Sequence, residues 1–164
     1  MNRVIPLADS DSTRQVLADV AEYGWHVVHI LPDERGPGWS FSIGLFHTFG
    51  HPEFVVFGLP SERAQPIING LGARIRSGSL FTHDSEDTDV LTGYPVRFVA
   101  VPESCSGNYF GYAIWFYRHQ PFPVLQVVWP DRSGRFPWQS GYDPSLQGAQ
   151  PVLGSATSQD THPK

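Results

Sequence analysis

Apolar and polar residues alternate in one part of the chain in the way that is typical of a half-buried strand. Over residues 39–45, four apolar side chains are separated by two serines and a glycine, which is the two-residue period of a strand. The preceding segment 25–31 is rich in residues that favour strands, and a turn of Pro, Asp and Gly residues separates the two. The pattern therefore predicts an antiparallel hairpin.

Helical spacing of apolar residues appears in two other parts of the chain. One apolar face predicts a helix over residues 12–23, which Gly24 would end. After Ser61, apolar residues recur at helical spacing as far as Ile75, which predicts a second helix. Further patterns predict strands over 53–59, 96–101 and 123–129 and a third helix over 109–118.

These elements together predict an α+β fold. We expect a mostly antiparallel sheet of about five strands, with two or three helices packed on one side. A chain of 164 residues has the length of one domain. Because the end of the chain is rich in Ser, Gly, Gln and Pro, the sequence predicts a globular domain over 10–143 and a disordered tail over 144–164.

Composition and charge narrow the classes of partner. The net charge is −5, and every Lys or Arg before Lys164 is an arginine. Because the sequence contains no stripe of basic residues that could neutralise phosphates, we expect no nucleic acid partner. Cys105 is the only cysteine, which excludes an intrachain disulfide. The chain starts without an apolar signal-peptide core and contains no run of about 18 apolar residues. We therefore expect a cytoplasmic protein that does not contact a membrane.

Two histidines have the spacing of metal ligands. His47 and His51 are four positions apart, which suits a metal ion that activates water. Gly50 and Pro52 disfavour a helix there and predict a loop over 46–52. No HExxH, P-loop, GxSxG or GxGxxG motif occurs, so the sequence does not decide whether the protein is an enzyme and identifies no catalytic residue or cofactor.

Aromatic residues near polar groups are the other source of candidate chemistry. They make up 13% of the chain, and flat aromatic walls with a few polar groups are how planar ligands are held. The loops 46–53 and 129–138 combine these features, so the leading hypothesis is a pocket for a small or planar ligand, lined by aromatic and histidine residues. The predicted ligand-binding residues are His26, Ser42, His47, His51, Tyr109, Trp129, Asp131 and Trp138.

Several longer segments bring a family resemblance. They include Tyr23–Val27, Phe41–Leu45, His47–Glu53, Tyr109–Tyr117 and the segment Trp129–Trp138, which has the pattern W-P-D…G-x-F-P-W. On these segments the chain, over about residues 15–143, resembles a bacterial family known as domain of unknown function 4262. The resemblance implies no activity, so it supplies no mechanism.

Three other functions stay open at this point. The order of elements is similar to that of flavin-reductase-like split barrels, which implies a flavin near Ser42 to Thr48, although this stretch contains no Arg or Lys for the flavin phosphate. A metal-dependent enzyme that uses His47 and His51 is the second alternative. The third is an interaction or immunity-type module, whose negative charge suits a basic partner. An unpaired edge strand could also build a homodimer.

Overall fold

The computed structural model describes residues 4–156. The strands are β1 (His26–Ile30), β2 (Trp39–Ile43), β3 (Glu53–Phe57), β4 (Glu86–Leu91), β5 (Tyr94–Ala100) and β6 (Val124–Val128). The helices are α1 (Asp11–Tyr23), α2 (Leu45–Phe49), α3 (Ser61–Arg76), α4 (Ser106–Tyr109) and α5 (Gly111–Phe116), with 3₁₀ turns at Glu103–Cys105 and Pro144–Leu146. No helix within the described residues is long and apolar enough to cross a membrane.

The six strands form one mixed sheet in the order β1-β2-β3-β6-β5-β4. β3 and β6 run parallel, and the four other pairings are antiparallel. The predicted α+β class and the predominance of antiparallel pairing are confirmed. The strand that was not predicted is β4, because its acidic residues lie in a stretch of the sequence that is polar throughout. An edge strand tolerates such residues because much of it faces water.

The helices cover both faces of the sheet, which corrects the prediction that they pack on one side. The apolar face of α3 packs with Phe54 and Val56 on one face. α1 and α5 pack with Val55 and Phe57 on the other face. The reason is that β3 is buried along its whole length, so alternate apolar side chains need cover on opposite sides.

The loop predicted over 46–52 is wrong in its first half, because α2 forms there. Gly44 precedes the helix with φ 115° and Gly50 ends it with φ 73°. These left-handed conformations favour glycine, so the two glycines allow one short helical turn between β2 and β3. Gly50 and Pro52, from which the loop was predicted, lie just after this helix and do not prevent it.

The segment after residue 143 packs on the sheet as far as the structure describes it, instead of forming the predicted tail. The buried Gln126 amide donates to Pro151 O (2.7 Å) and accepts from Leu153 N (3.0 Å). Gly154 lies so close to β5 that a Cβ there would come within 2.0 Å of Ala100 O. Residues 157–164 of the predicted tail lie outside the described residues, and the domain limits stay a prediction.

Candidate functional site

A buried carboxyl group lies where β2 ends and β3 begins. Glu53, only 1% exposed, accepts hydrogen bonds from Ser42 Oγ (2.7 Å) and from the Tyr117 hydroxyl. It also accepts from the backbone N–H groups of Gly44 (2.9 Å), Leu45 (3.2 Å) and Phe46 (3.2 Å). Ser42, a predicted ligand-binding residue, therefore forms its hydrogen bond inside the protein. The N–H groups at the start of α2 are bonded to Glu53.

Burial dominates the titration of this centre. It raises the pKa of the Glu53 carboxyl above its usual range, and the hydrogen bonds from Tyr117, Ser42 and the backbone act in the opposite direction. Burial and the neighbouring Glu53 carboxyl also raise the pKa of Tyr117. The hydrogen bonds of the centre join Glu53 on β3 to β2, to the start of α2 and to Tyr117 after α5. Because the carboxyl group is buried, the centre offers no opening to a ligand.

The two histidines of the predicted metal pair contact different groups. His51 Nδ1 donates to Pro52 O (2.8 Å), and its Nε2 accepts from Phe81 N–H (3.0 Å). The His47 ring packs edge-on against Phe116 with 5.6 Å between centroids. Within residues 4–156 no group of three or more His, Cys, Asp or Glu could hold a metal ion. Both ring nitrogens of His51 thus serve the fold.

We expect the stability of the domain to fall with acidification through His51. Burial lowers the pKa of His51 below 6.5, and protonation would replace the acceptor for Phe81 N–H by a second donor. Because the unfolded chain binds this proton more readily, the stabilisation is complete above pH 6.5 and is lost as pH falls through the lowered pKa. Thermal unfolding between pH 7.5 and 5 should show a smaller loss for His51→Gln than for the wild type. The exposed His119→Asn control should follow the wild type.

Tyr109 and Trp138 take part in packing at two separate places. Tyr109 lies edge-on to Trp39 (5.2 Å) and Phe57 (5.3 Å). Trp138 stacks on Phe136 with 5.2 Å between centroids and 7° between planes. Neither residue lies beside the remaining predicted ligand-binding residues, so the structure divides that set among several sites.

Trp129 and Asp131 line a cleft of about 790 Å³, which we call the Trp129 cleft. It lies between the first turns of α3, the β4–β5 hairpin and the loop that follows β6. Its other lining residues are Leu59, Glu62, Arg63, Pro66, Ile67, Val90, Leu91, Thr92, Tyr94, Pro130, Arg132 and Leu146.

The two predicted residues of this cleft are rigidly held. The Trp129 indole N–H donates to Phe57 O (2.8 Å), and the Gln150 amide bonds to both the N–H (3.2 Å) and the O (2.5 Å) of Trp129. Asp131 accepts N–H groups from Ser133 and Arg135, each at 2.9 Å. These bonds lower the pKa of the Asp131 carboxyl and give Trp129 and Asp131 of the W-P-D pattern a structural role in the loop.

The cleft also contains groups that the sequence did not indicate. Arg63 and Arg132 line it, and neither forms an ion pair with another residue of the described chain. The acidic residues in the lining are Glu62 and Asp131, and the Asp131 carboxyl accepts hydrogen bonds from backbone N–H groups. Arg63 lies on the polar face of a predicted helix, where no pattern distinguishes it from a solvated residue.

His26 lines a second cleft of about 390 Å³ at the start of β1, which we call the β1 cleft. Its Nδ1 donates to Asp19 Oδ2 at 2.7 Å, which fixes the ring and leaves Nε2 to interact with a ligand. The other lining residues are Tyr23, Trp25, Val27, Gln65, Asn69 and Arg76. The sequence predicted His26 but gave no sign of its partner on α1.

The comparisons with known proteins yield one match. A family model described as "Domain of unknown function (DUF4262)" matches residues 19–143. No curated protein and no solved structure is significantly similar to the chain. The match covers both predicted residues of the Trp129 cleft and assigns no role to them.

Proposed function

The chain belongs to the domain of unknown function 4262 family, and we propose that it binds a flat, mainly apolar ligand that carries an acidic group in the Trp129 cleft. The observation that carries this proposal is a rigid tryptophan beside two arginines without ion-pair partners in residues 4–156. The cytoplasmic location expected from the sequence is part of the same proposal.

The walls of the cleft suit the apolar part of such a ligand. Leu59, Ile67 and Leu91 supply aliphatic surface, and Trp129 and Tyr94 supply aromatic surface. Because the hydrogen bonds of Trp129 hold its ring in place, binding would cost little side-chain entropy there. A volume of about 790 Å³ lies within the range of sites for small organic ligands.

The charged groups favour an acid over a neutral ligand. Arg63 and Arg132 come from different elements, the helix α3 and the loop after β6, and both line the same cleft. A guanidinium group donates two parallel hydrogen bonds to a carboxylate. Glu62 and the ionised Asp131 carboxylate balance the two positive charges in number, so the preference for an acid rests on two guanidinium groups that have no ion-pair partner in residues 4–156.

The test uses 2-naphthoate as the probe and 2-naphthol as its uncharged analogue. We expect saturable binding of 2-naphthoate by NMR titration, with shifts at Trp129 and Leu91, and binding of 2-naphthol that is weaker by about tenfold. The double variant Arg63→Gln/Arg132→Gln should lose this preference, because both compounds then meet the same apolar walls.

Trp138→Leu is the matched control for Trp129→Leu. Trp138 stacks on Phe136 outside the cleft, so its replacement should leave the affinity for 2-naphthoate unchanged while Trp129→Leu lowers it. Equal affinity for the acid and the alcohol in the wild type, or no saturable binding of either, contradicts the proposal.

A further inference from the structure

The two edges of the sheet differ in how they are protected. β4, at one edge, carries Glu86, Asp87 and Asp89 and an irregular register with β5, which are features that discourage a further strand from pairing. β1, at the other edge, has the sequence His-Val-Val-His-Ile, with no acidic residue, Lys or Pro. One row of backbone N–H and C=O groups along β1 therefore has no partner strand in the described sheet and can accept one.

Two clefts follow β1 from its start to its end. The β1 cleft adjoins the first residues of the strand, and a second cleft of about 540 Å³ adjoins the last ones. His29 Nε2 and Gln65 Oε1 share a hydrogen bond of 2.9 Å between the two clefts. α3 contributes to the walls of both clefts, through Gln65 and Arg76 in the first and Ser61 and Glu62 in the second. We call these two clefts together the groove; the five-residue strand that they adjoin is ~17 Å long.

The start of this groove has an excess of hydrogen-bond donors. The Trp25 indole N–H, which can only donate, bonds to Asn69 Oδ1 at 2.9 Å, so the Asn69 amino group is the part left to donate. The Oε1 atom of Gln65 is likewise engaged by His29. Donors in such a position select a ligand rich in acceptors.

Arg76 supplies a positive group at this end. Its guanidinium lies 5.0 Å from the centroid of the Trp25 ring and donates to Tyr23 O, and no acidic residue within 4–156 forms an ion pair with it. The Asp19 carboxylate in the same cleft is engaged by His26. A carboxylate is the group that best matches this combination of charge and donors.

We propose that β1 receives an extended peptide as an additional antiparallel strand, with the C-terminal carboxylate of the peptide beside Arg76. An antiparallel strand runs opposite to β1, so its C-terminal end lies at the start of β1, where the donors are. Backbone hydrogen bonds supply the affinity, the carboxylate sets the register, and the two clefts receive alternate side chains. Leu59 and Glu62 line both the cleft at the end of β1 and the Trp129 cleft, but β1 and Arg76, on which the inference depends, do not line the Trp129 cleft.

The experiment offers the immobilised full-length protein a pool of hexapeptides randomised at all six positions, either with free C-terminal carboxylates or amidated. We expect retention of the free-acid pool and at least about tenfold less of the amidated pool, because amidation removes a charge-assisted hydrogen bond. Arg76→Gln should reduce retention of the free-acid pool to the same extent. Because amidation changes only the peptide, this arm stands even if Arg76→Gln unfolds the domain.

Arg63→Gln is the matched control, an exposed arginine on the same helix that lies outside this groove. It should retain the peptides as the wild type does, whereas Arg76→Gln should bind 2-naphthoate as the wild type does, so failure of one proposal is distinguishable from failure of the other. Hydrogen exchange with the most enriched peptide should show slower exchange in β1 and no change in β4.

Three outcomes would overturn the inference. They are no retention of either pool, equal retention of the free-acid and amidated pools, and protection of β4 in place of β1. A dimer in sedimentation analysis that the enriched peptides fail to dissociate, with exchange in β1 already slow, would assign the strand edge to a second copy of this chain.

Discussion

Replacement of Glu53 by alanine is expected to lower the free energy of unfolding by roughly 3–5 kcal/mol, because five buried donors lose their common acceptor. These are the hydroxyl groups of Ser42 and Tyr117 and three consecutive N–H groups at the start of α2. The carboxyl group is fully enclosed, so water cannot replace it without opening the packing of α2 on β3.

Urea-induced unfolding of the wild type, Glu53→Ala, Glu53→Gln and Ser42→Ala would measure the effect. Glu53→Gln keeps the shape but places an amino group among donors, so we expect an intermediate loss. Ser42→Ala removes one of the five donors and should cost less. Glu22→Ala, an exposed glutamate on α1, is the control and should stay within about 0.5 kcal/mol of the wild type. A loss below about 1 kcal/mol for Glu53→Ala would mean that the centre does not hold these elements together.

A chain that ends at residue 143 is expected to be less stable than one that ends at 156 by roughly 3 kcal/mol or more. The difference removes both partners of the buried Gln126 amide, and a buried polar group without a partner costs about 1–3 kcal/mol. It also removes Val152, which packs against Val99, Val128 and Phe136. Comparison of these two chains isolates the contribution of residues 144–156.

The matched control adds Gln126→Leu to both chains. Leucine needs no hydrogen-bond partner, so part of the cost of truncation should disappear in that background, and the remainder reports the apolar contacts. Equal unfolding midpoints for the 1–143 and 1–156 chains would contradict the expectation and would restore the disordered tail that the sequence predicted.

Most of the regular elements could be predicted from the periodicity of apolar residues. The helix predicted over 12–23 is α1, and the hairpin predicted over 25–45 is β1 and β2. β4 escaped because edge strands need little apolar surface. The packing of residues 144–156 on the sheet was not predicted, because it depends on Gln126 and on a glycine in close contact with β5. Neither contact produces a local pattern in the sequence.

The candidate sites were predicted less completely than the fold. Trp129 and Asp131 were predicted to bind a ligand, and both line the Trp129 cleft, while their role in binding stays a prediction. The arginines of that cleft were missed, since exposed arginines on a helix and a loop look alike whether or not they meet in space. Glu53 was predicted only as the first residue of a strand, because the sequence does not distinguish a glutamate that forms hydrogen bonds inside the protein from one on the surface.

The single parallel pairing has a consequence for how the sheet assembles. β1–β3 and β4–β6 are each joined by antiparallel pairings, whereas the β3–β6 pair unites Glu53 with Val124, which are 71 positions apart. Such a distant contact closes a long loop before it gains any stabilisation. We therefore expect β1–β3 and β4–β6 to form first, and the buried strands β3 and β6 to pair last, at the centre of the finished sheet.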